Sequence, residues 1–307
     1  MWRADALGNG SHPLLAFLIR ADQERVFDFR RDPICQQRRR MQRVEARGRV
    51  SVKQGQGGTR LDRLFQEGAA KIRLPRREAA GLEAVLINTA GGLTGGDRVE
   101  WEAEAGEGTA LTLTTQACEK VYRAGEGEAT VTCRMRAGKN ASIAWLPQET
   151  ILFDRSALRR RLEIDLEPGA RALILEATIF GRTAMGETVQ EATFRDRWRV
   201  RVGGKLVHAE DLALTGSVAE TLRHAAVGGG ARAIATVLLI DTEAEAAAAR
   251  VGSILGASDG ISTWKIGDAG KLLARLTATD GHALRQRLMP LLQLLGSEAG
   301  LPKIWSS

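Results

Sequence analysis

The chain has 307 residues and a mass of 33.2 kDa, and it is 44% hydrophobic and 26% charged, as is usual for a globular protein. This composition excludes a collagen, a disulfide scaffold, a wholly disordered chain and a polytopic membrane protein. The formal net charge of +7 is uneven, because residues 1–80 carry +9 and the rest of the chain −2.

The N-terminal segment, residues 1–46, lacks a clear periodicity and is predicted to be a basic, disordered extension. Nucleic-acid binding is a second interpretation, but the three arginines at 38–40 have no aromatic residues between them on which bases could stack. The apolar stretch at 14–19 is far shorter than the roughly 20 residues of a membrane span. Without an export signal or a C-x-x-C pair among the three cysteines, the sequence indicates a cytoplasmic protein.

Alternating apolar and polar residues from Gly48 onward predict strands, arranged as four hairpins with glycine-containing turns. The spacings are 32, 31 and 36 residues between first strands that begin at Val99, Val131, Leu162 and Trp198. A repeat of about 30 residues is typical of stacked units, each of which needs a neighbour to bury its apolar face. We therefore predict a mainly β, stacked-hairpin, β-helix-like body over residues 47–230, with an ordinary β-sandwich as the alternative.

Residues 231–307 are predicted to complete the same domain as a small α+β part that carries two helices. AIATVLLID (Ala233–Asp241) indicates a buried strand, and KLLARLTA (271–278) indicates another. The Ala- and Glu-rich segment 242–256 predicts a helix whose first residue is the N-cap and whose last glycine stops it. A leucine spacing near 3.6 predicts a second helix over 280–295, capped by its aspartate.

The motif NTAGGLTGGD at 88–97 places four glycines in six positions, which indicates tight turns or a close approach of the backbone. A phosphate-binding loop is one interpretation. The motif lacks Gly-Lys-Ser/Thr, and a strand pattern follows it where a helix N-terminus would be needed to face an anion. We therefore expect a structural loop.

Cys118, in TTQACEKVYR at 114–123, could be a nucleophile if a base and an orienting group lay beside it. No recognisable catalytic motif contains any of the four histidines, which are His12, His208, His224 and His282. An inert, buried cysteine is the favoured interpretation.

Two further motifs, WLPQETILF at 145–153 and LEATIFGRTAMGE at 175–187, contribute several acidic residues. A glycosidase needs two facing carboxylates, one of them with a raised pKa. The spacing alone does not place two of these acids opposite each other. A carbohydrate-active β-solenoid enzyme with paired carboxylates is therefore kept as an alternative.

NTAGGLTGGD, TTQACEKVYR, WLPQETILF, GRTAMGE and the terminal LPKIW, in this order, resemble the urease accessory proteins of the UreD/UreH type. The resemblance extends from about Gly48 to Trp305, and residues 1–46 depart from it. Besides acidic residues, the matching positions are Asn88, Gly91, Gly92, Gly95, Gly96, Thr114, Gln116, Lys120, Tyr122, Arg123, Gln148, Gly181, Arg182, Met185 and Gly186.

This resemblance implies a non-enzymatic maturation factor with no permanently bound cofactor and with no nucleic-acid or membrane partner. Such proteins form a complex with a helical accessory protein of the UreF type and a GTPase of the UreG type. The complex docks on the urease apoprotein and helps to deliver nickel to its dinuclear, carbamylated-lysine site. The implied fold is a β-helix-like stack with a pair of helices and a water-filled passage for the metal.

The hypothesis for nickel transit names four acids within the matching motifs: Asp97, Glu149, Glu176 and Glu187. Nickel accepts carboxylate and water ligands, and a transit path must bind weakly enough to release the ion. The absence of a dense Cys/His cluster from the sequence suits a conduit better than a storage site. An equally open interpretation is that each acid makes a salt bridge or a turn hydrogen bond, for instance with Lys120, Arg123 or Arg182.

Overall fold

The computed structural model describes residues 43–76, 81–182, 185–296 and 301–305. The basic extension was predicted over residues 1–46. Residues 1–42 lie outside the described part of the chain, whereas Glu45 and Ala46 begin the first strand. In chain order, the strands are β1 (Glu45–Gly55), β2 (Gly58–Gly68), β3 (Ala70–Arg73), β4 (Leu82–Asn88), β5 (Arg98–Ala105), β6 (Ala110–Thr115), β7 (Glu119–Val121), β8 (Ala129–Ala137), β9 (Ser142–Leu146), β10 (Thr150–Leu152), β11 (Ala157–Leu166), β12 (Arg171–Phe180), β13 (Glu191–Val202), β14 (Lys205–Ser217), β15 (Ala233–Asp241), β16 (Gly260–Ile266) and β17 (Ala269–Ala278).

The strands form two facing sheets. One sheet has seven strands in the spatial order β14-β13-β11-β8-β5-β1-β2. The other sheet has ten strands. Eight of them follow the order β16-β17-β15-β12-β9-β6-β4-β3; of the other two, β10 pairs with β12, and β7 pairs with β10. In the middle of both sheets neighbouring strands are parallel, because each coil of the chain stacks on the preceding coil. The mainly β, β-helix-like class predicted from the sequence is thus confirmed.

The predicted pairing within the hairpins is correct only for the fourth, in which β13 and β14 are antiparallel neighbours. In the other three, the two strands lie in different sheets: β5 faces β6, β8 faces β9, and β11 faces β12. Five of these strands pair in parallel with the corresponding strand of the next coil, whereas β12 pairs in parallel with β9 of the preceding coil and antiparallel with β15. Period-2 alternation and a glycine turn are common to a hairpin and to an arch between two sheets, so the sequence pattern could not separate them.

The register between coils differs at one step from the predicted spacing. Val99 pairs with Val131 and Leu162 pairs with Trp198, which matches the predicted spacings of 32 and 36 residues. Val131, however, pairs with Arg160, and Leu162 pairs with Cys133, so this step is shorter than the predicted 31 residues. The alternation determines which face a residue lies on, but a shift of two residues keeps the same face and leaves the pattern unchanged.

Three helices lie in the described part of the chain: α1 (Val218–Arg223), α2 (Ala244–Val251) and α3 (Gly281–Leu295), with a 3₁₀ turn at Lys303–Trp305. The helix predicted over 280–295 is confirmed as α3, and its predicted cap is confirmed because Asp280 Oδ1 accepts a hydrogen bond from the Ala283 amide at 2.8 Å. The sequence did not predict α1. None of these helices is both long and apolar enough to cross a membrane.

The prediction for α2 was wrong at both ends. Glu243, rather than Thr242, occupies the N-cap position, and the helix stops before Gly252 rather than at Gly256. The Thr242 hydroxyl donates to Asp241 Oδ1 at 3.3 Å, and the same oxygen accepts from the Glu243 amide at 3.0 Å, so Thr242 does not cap the helix through its side chain.

The ten-stranded sheet is buried on both faces. Its inner face packs against the seven-stranded sheet around residues such as Leu162 and Phe194. Its outer face packs, through residues such as Leu175, against Leu291 of α3 and against Trp305. Each fully buried leucine or phenylalanine contributes about 1.5–3 kcal/mol. Burial on both faces explains why β12 reads as an almost continuous apolar run.

Candidate functional site

Four of the five sequence motifs lie on the same part of successive coils. Glu119 of β7 pairs with Thr150 of β10, and Thr150 pairs with Thr178 of β12. A parallel bridge between Leu93 and Val121 adds the loop at 88–97 to this row. Motifs about 30 residues apart in the chain are therefore direct neighbours, because stacking places equivalent positions side by side.

The fifth motif, LPKIW, reaches the same region from the C-terminus. The indole Nε1 of Trp305 donates to the carbonyl oxygen of Leu146 at 3.0 Å, and Trp305 is buried. The end of the chain is therefore fixed to the strand that precedes the WLPQETILF loop.

Two cavities open among these motifs. The outer cavity, of about 270 Å³, is lined by residues that include Asn88, Gly91 and the segment 115–120. The inner cavity, of about 50 Å³, extends between the sheets to Arg160 and Glu176. Trp101, Thr115 and Glu119 line both cavities, so the two cavities adjoin at these three residues, which we call the neck. A volume of about 50 Å³ is enough for a water molecule.

Glu119 is held at the neck by a neutral partner. The Asn88 Nδ2 atom lies 3.2 Å from each of its carboxylate oxygens. Burial, with a smaller contribution from the charge of Asp97, raises the pKa of Glu119 to about 7, and the hydrogen bond from Asn88 opposes only part of this shift.

Glu176 belongs to a buried cluster at the inner end of the cavity. The Arg160 guanidinium contacts Glu176 and binds both carboxylate oxygens of Asp196, at 3.0 and 2.6 Å. The indole of Trp145 donates to Glu176 at 2.9 Å, and that of Trp198 donates to Asp196 at 3.1 Å. Burial, together with the negative charge of Asp196, raises the pKa of Glu176 to about 7, although the charge of Arg160 and the hydrogen bonds from Trp145 and Arg160 oppose the shift.

Glu149 is neutralised by a residue far along the chain. Arg285 of α3 donates to its two carboxylate oxygens at 2.6 and 2.7 Å, and also to the amide oxygen of Gln148. Burial acts to raise the pKa of Glu149, but the hydrogen bond and charge of Arg285 lower it overall. Glu149 is therefore a fixed anion within an ion pair.

Cys118 lies beside this pair, with its Sγ atom 3.4 Å from Glu149 Oε2. Burial, together with the charge of Glu149, raises the pKa of the Cys118 thiol to about 11. The thiol stays protonated at neutral pH, as expected for an inert cysteine, although it is only partly buried.

The other two predicted transit acids, Asp97 and Glu187, line neither cavity. Asp97 accepts hydrogen bonds from the backbone amides of Val44 and Thr94, at 2.9 and 2.8 Å, and so holds the glycine-rich loop against β1. Glu187 forms an ion pair with Arg182, with 2.7 Å between Oε2 and Nε. Of the four acids, the structure places Glu176 on the cavity wall and Glu149 directly behind Cys118 and Gln148.

The remaining motif residues divide between the cavity wall and the loops. Asn88, Gly91, Gln116 and Lys120 line the outer cavity, and Gln148 lines the inner one. Thr114 is buried and donates to the Leu146 carbonyl oxygen at 2.7 Å. Loop positions are taken by Gly92, Gly95, Gly96, Tyr122, Arg123, Gly181, Arg182, Met185 and Gly186.

The glycine-rich loop makes the predicted close approach of its backbone to a neighbouring segment. A Cβ atom on Gly92 would lie 2.4 Å from the Tyr122 ring, and its φ of 152° is one that other residues rarely adopt. Tyr122 in turn packs edge-on against Phe153, with ring centroids 5.0 Å apart. The loop thus packs closely on the outside of the next coil.

The donor set around the cavities does not form a metal cage. Within residues 43–76, 81–182, 185–296 and 301–305, no three His, Cys, Asp or Glu side chains are grouped so that they could hold a metal ion.

A comparison with known protein families agrees with the motifs, their placement and the coil architecture. In this comparison, the family of UreD urease accessory proteins matches residues 44–306. The chain belongs to the UreD family. The resemblance found in the sequence is confirmed over almost the same span.

Individual relatives agree closely in length and sequence. Urease accessory protein UreD 1 of Brucella melitensis biotype 1 is 52% identical over 266 residues, which cover 87% of this chain and 95% of the relative. Urease accessory protein UreD of Mesorhizobium japonicum is 53% identical over 265 residues, which cover 86% and 95% of the two chains.

Sequence reasoning missed four charged residues of this UreD-family site: Glu119, Arg160, Asp196 and Arg285. A signal existed for two of them, since Arg160 and Asp196 occupy the same alternating positions as the inward apolar residues of β11 and β13. Opposite charges at inward positions of successive coils indicate a buried ion pair. The contact of Arg285 had no local signal, because its partner lies 136 residues away.

Proposed function

We propose that this chain is a non-enzymatic maturation factor for urease that works in the cytoplasm between other proteins. Its partners in this proposal are a helical accessory protein of the UreF type, a GTPase of the UreG type and the urease apoprotein. The observation that carries the proposal is the match of the UreD family across residues 44–306, which includes every element of the described fold.

We further propose that nickel passes through the two cavities as cargo. Around them lie four carboxylates, two guanidinium groups and one ammonium group, which belong to Glu119, Glu149, Glu176, Asp196, Arg160, Arg285 and Lys120. When all are ionised, four negative and three positive charges leave a net charge of −1, which attracts a cation. Because the arginines already bind three of the acids, the cavity supports weak contact rather than capture, as a transit path requires.

The interior placement of Glu176 and Asp196 gives no support to a glycosidase. Both carboxylates bind Arg160 and are buried, whereas a glycosidase needs its two acids on either side of a substrate groove. Incubation of the purified chain with polysaccharides separates the two functions, because the maturation factor releases no sugars.

Deletion of the gene tests the main proposal. In cells that carry the urease genes, we expect deletion to leave urease with little activity and little bound nickel, and the restored gene to recover both. A pull-down on the restored chain is expected to recover the GTPase and the helical partner. Fully nickelated urease in the deletion strain would contradict the proposal.

Substitution of Glu176 tests the proposed path. If Glu176 contacts nickel in transit, both Glu176→Ala and Glu176→Gln lower urease activation while the chain still binds its partners. Normal activation with both variants would remove Glu176 from the path. Loss of partner binding together with activation would instead make Glu176 a structural residue.

A further inference from the structure

The acids first assigned to nickel transit already have strong partners. Three form ion pairs with arginines, and the fourth accepts two backbone hydrogen bonds: they are Glu149, Glu176, Glu187 and Asp97. A carboxylate in such a pair must give up its partner before it can coordinate a metal ion. In a buried site the loss is large, because the abandoned charge is left without compensation.

Glu119 differs from these acids. In the described parts of the chain, no lysine, arginine or histidine forms an ion pair with it, and its hydrogen-bond partner is the neutral amide of Asn88. The side chain is largely removed from solvent and feels the negative charge of Asp97. A carboxylate in such surroundings is stabilised by any cation that reaches it.

The position of Glu119 makes this carboxylate accessible to an entering ion. It lines both cavities and, with Trp101 and Thr115, forms the neck between them. Trp101 and Thr115 carry no charge, so Glu119 supplies the charge of the neck. A cation in either cavity would therefore lie beside this carboxylate.

We propose that Glu119 is a transient ligand for a divalent cation at the neck, with water completing the coordination shell. Asn88 holds the carboxylate in place through its amide, whose oxygen accepts a hydrogen bond from the Ala90 amide at 3.1 Å and fixes the orientation of the group. The identity of the cation as nickel rests on the function proposed above. A single carboxylate with water exchanges its ion readily, in contrast to a cage of cysteine and histidine ligands.

Calorimetric titration of the untagged full-length chain with nickel chloride tests the binding. We expect Glu119→Gln, which keeps the shape of the side chain and removes its charge, to weaken nickel affinity at least tenfold. Glu126→Gln is the matched control, because Glu126 is an exposed acid seven residues later in the chain, and we expect it to bind as the unaltered chain does. Equal affinity of Glu119→Gln and the unaltered chain would overturn the proposal.

Circular dichroism establishes that each variant is folded. If Glu119→Gln does not fold, Glu119→Asp replaces it in the test. The shorter carboxylate keeps the charge but moves it away from the neck, so the proposal expects weaker binding without its loss. Unchanged affinity in a folded Glu119→Asp would overturn the proposal in the same way.

Urease activation at limiting nickel separates this inference from the function on which it rests. If deletion of the gene leaves activation intact, the proposed function fails whatever the titration shows. If deletion abolishes activation and Glu119→Gln restores it fully, the function stands and the role of Glu119 in transit is wrong. Loss of both nickel affinity and activation in Glu119→Gln, with normal values for Glu126→Gln, supports the proposal.

Discussion

Arg285 of α3 forms an ion pair with Glu149, which lies 136 residues earlier in the chain, with 2.6 Å between Nε and Oε1. The same guanidinium lies over the ring of Trp305, 5.3 Å from its centroid. One side chain thus joins the last helix, the C-terminal turn and the coil that carries the cavity wall.

Arg285→Met is expected to lower the free energy of unfolding by about 3 kcal/mol at pH 7, because Glu149 stays buried without its cation. Arg285 lowers the pKa of Glu149 in the folded state. The ion pair therefore stabilises the fold at pH values above the ordinary pKa of a glutamate, and this stabilisation is lost as the pH falls through the pKa of Glu149 in the folded chain. The difference between the two chains should therefore shrink as the pH falls. Urea unfolding measures it, with the exposed neighbour Gln286→Met as the control.

Arg160→Met is expected to cost about 3–5 kcal/mol, since it leaves the carboxylates of Glu176 and Asp196 buried without compensation. Arg161→Met provides the matched control, because Arg161 is the next residue of the same strand and is exposed; its effect should stay within about 0.5 kcal/mol. Similar unfolding midpoints for the two variants would show that the buried cluster does not stabilise the fold.

Glu119→Gln is expected to stabilise the metal-free fold at pH 8 by about 1–3 kcal/mol. The pKa of Glu119 rises on folding from 4.5 to about 7, so in this interval the folded chain binds more protons than the unfolded chain. Stability contributed by this group therefore falls as the pH rises from 4.5 to 7. Unfolding measured with a chelator should show the gain at pH 8 and almost none at pH 4, and a gain that does not vary with pH would contradict the assignment.

Gly48→Ala is expected to destabilise the fold by about 1–3 kcal/mol. A Cβ atom at Gly48 would lie 2.2 Å from the ring of Trp101, which forms one side of the cavity neck. Gly260→Ala is the control, because nothing lies within 4 Å of a Cβ atom there. Thermal unfolding of the two variants compares crowding with the general effect of replacing a strand glycine.

Trp305→Ala is expected to lower the free energy of unfolding by about 3–5 kcal/mol, because it removes a large buried side chain and the hydrogen bond to Leu146. Lys303→Ala, in the same turn but exposed, should change stability by less than about 0.5 kcal/mol. Limited proteolysis offers a second measurement, since a chain end released from Leu146 is cleaved faster.

Local patterns predicted the individual elements well. The strand Ala233–Asp241 has the predicted bounds, and Asp280 caps α3 as expected. Such features depend on residues within a few positions of one another, so their cause is visible in the sequence. The candidate site was predicted less completely: the motifs marked its region, but only Glu176 of the four named acids lines a cavity.

The coil repeat was predicted from spacing, whereas the pairing of strands was not. A turn such as that between β5 and β6 suits a hairpin and an arch equally well. The choice depends on whether a second sheet faces the first, which is a property of the whole chain.

The amino-acid order by itself determined most of the strands, helix α3, the inward and outward faces of the strands, the approximate repeat length and the UreD family. Each of these features depends on a short segment of the chain or on the order of the motifs. Only the tertiary structure decided which charges meet. Arg160 bonds to Asp196 because the two strands stack in one particular register, and Glu149 meets Arg285 because α3 returns to cover the ten-stranded sheet. An ion pair needs its two groups within about 4 Å, a distance that depends on the packing of the complete fold.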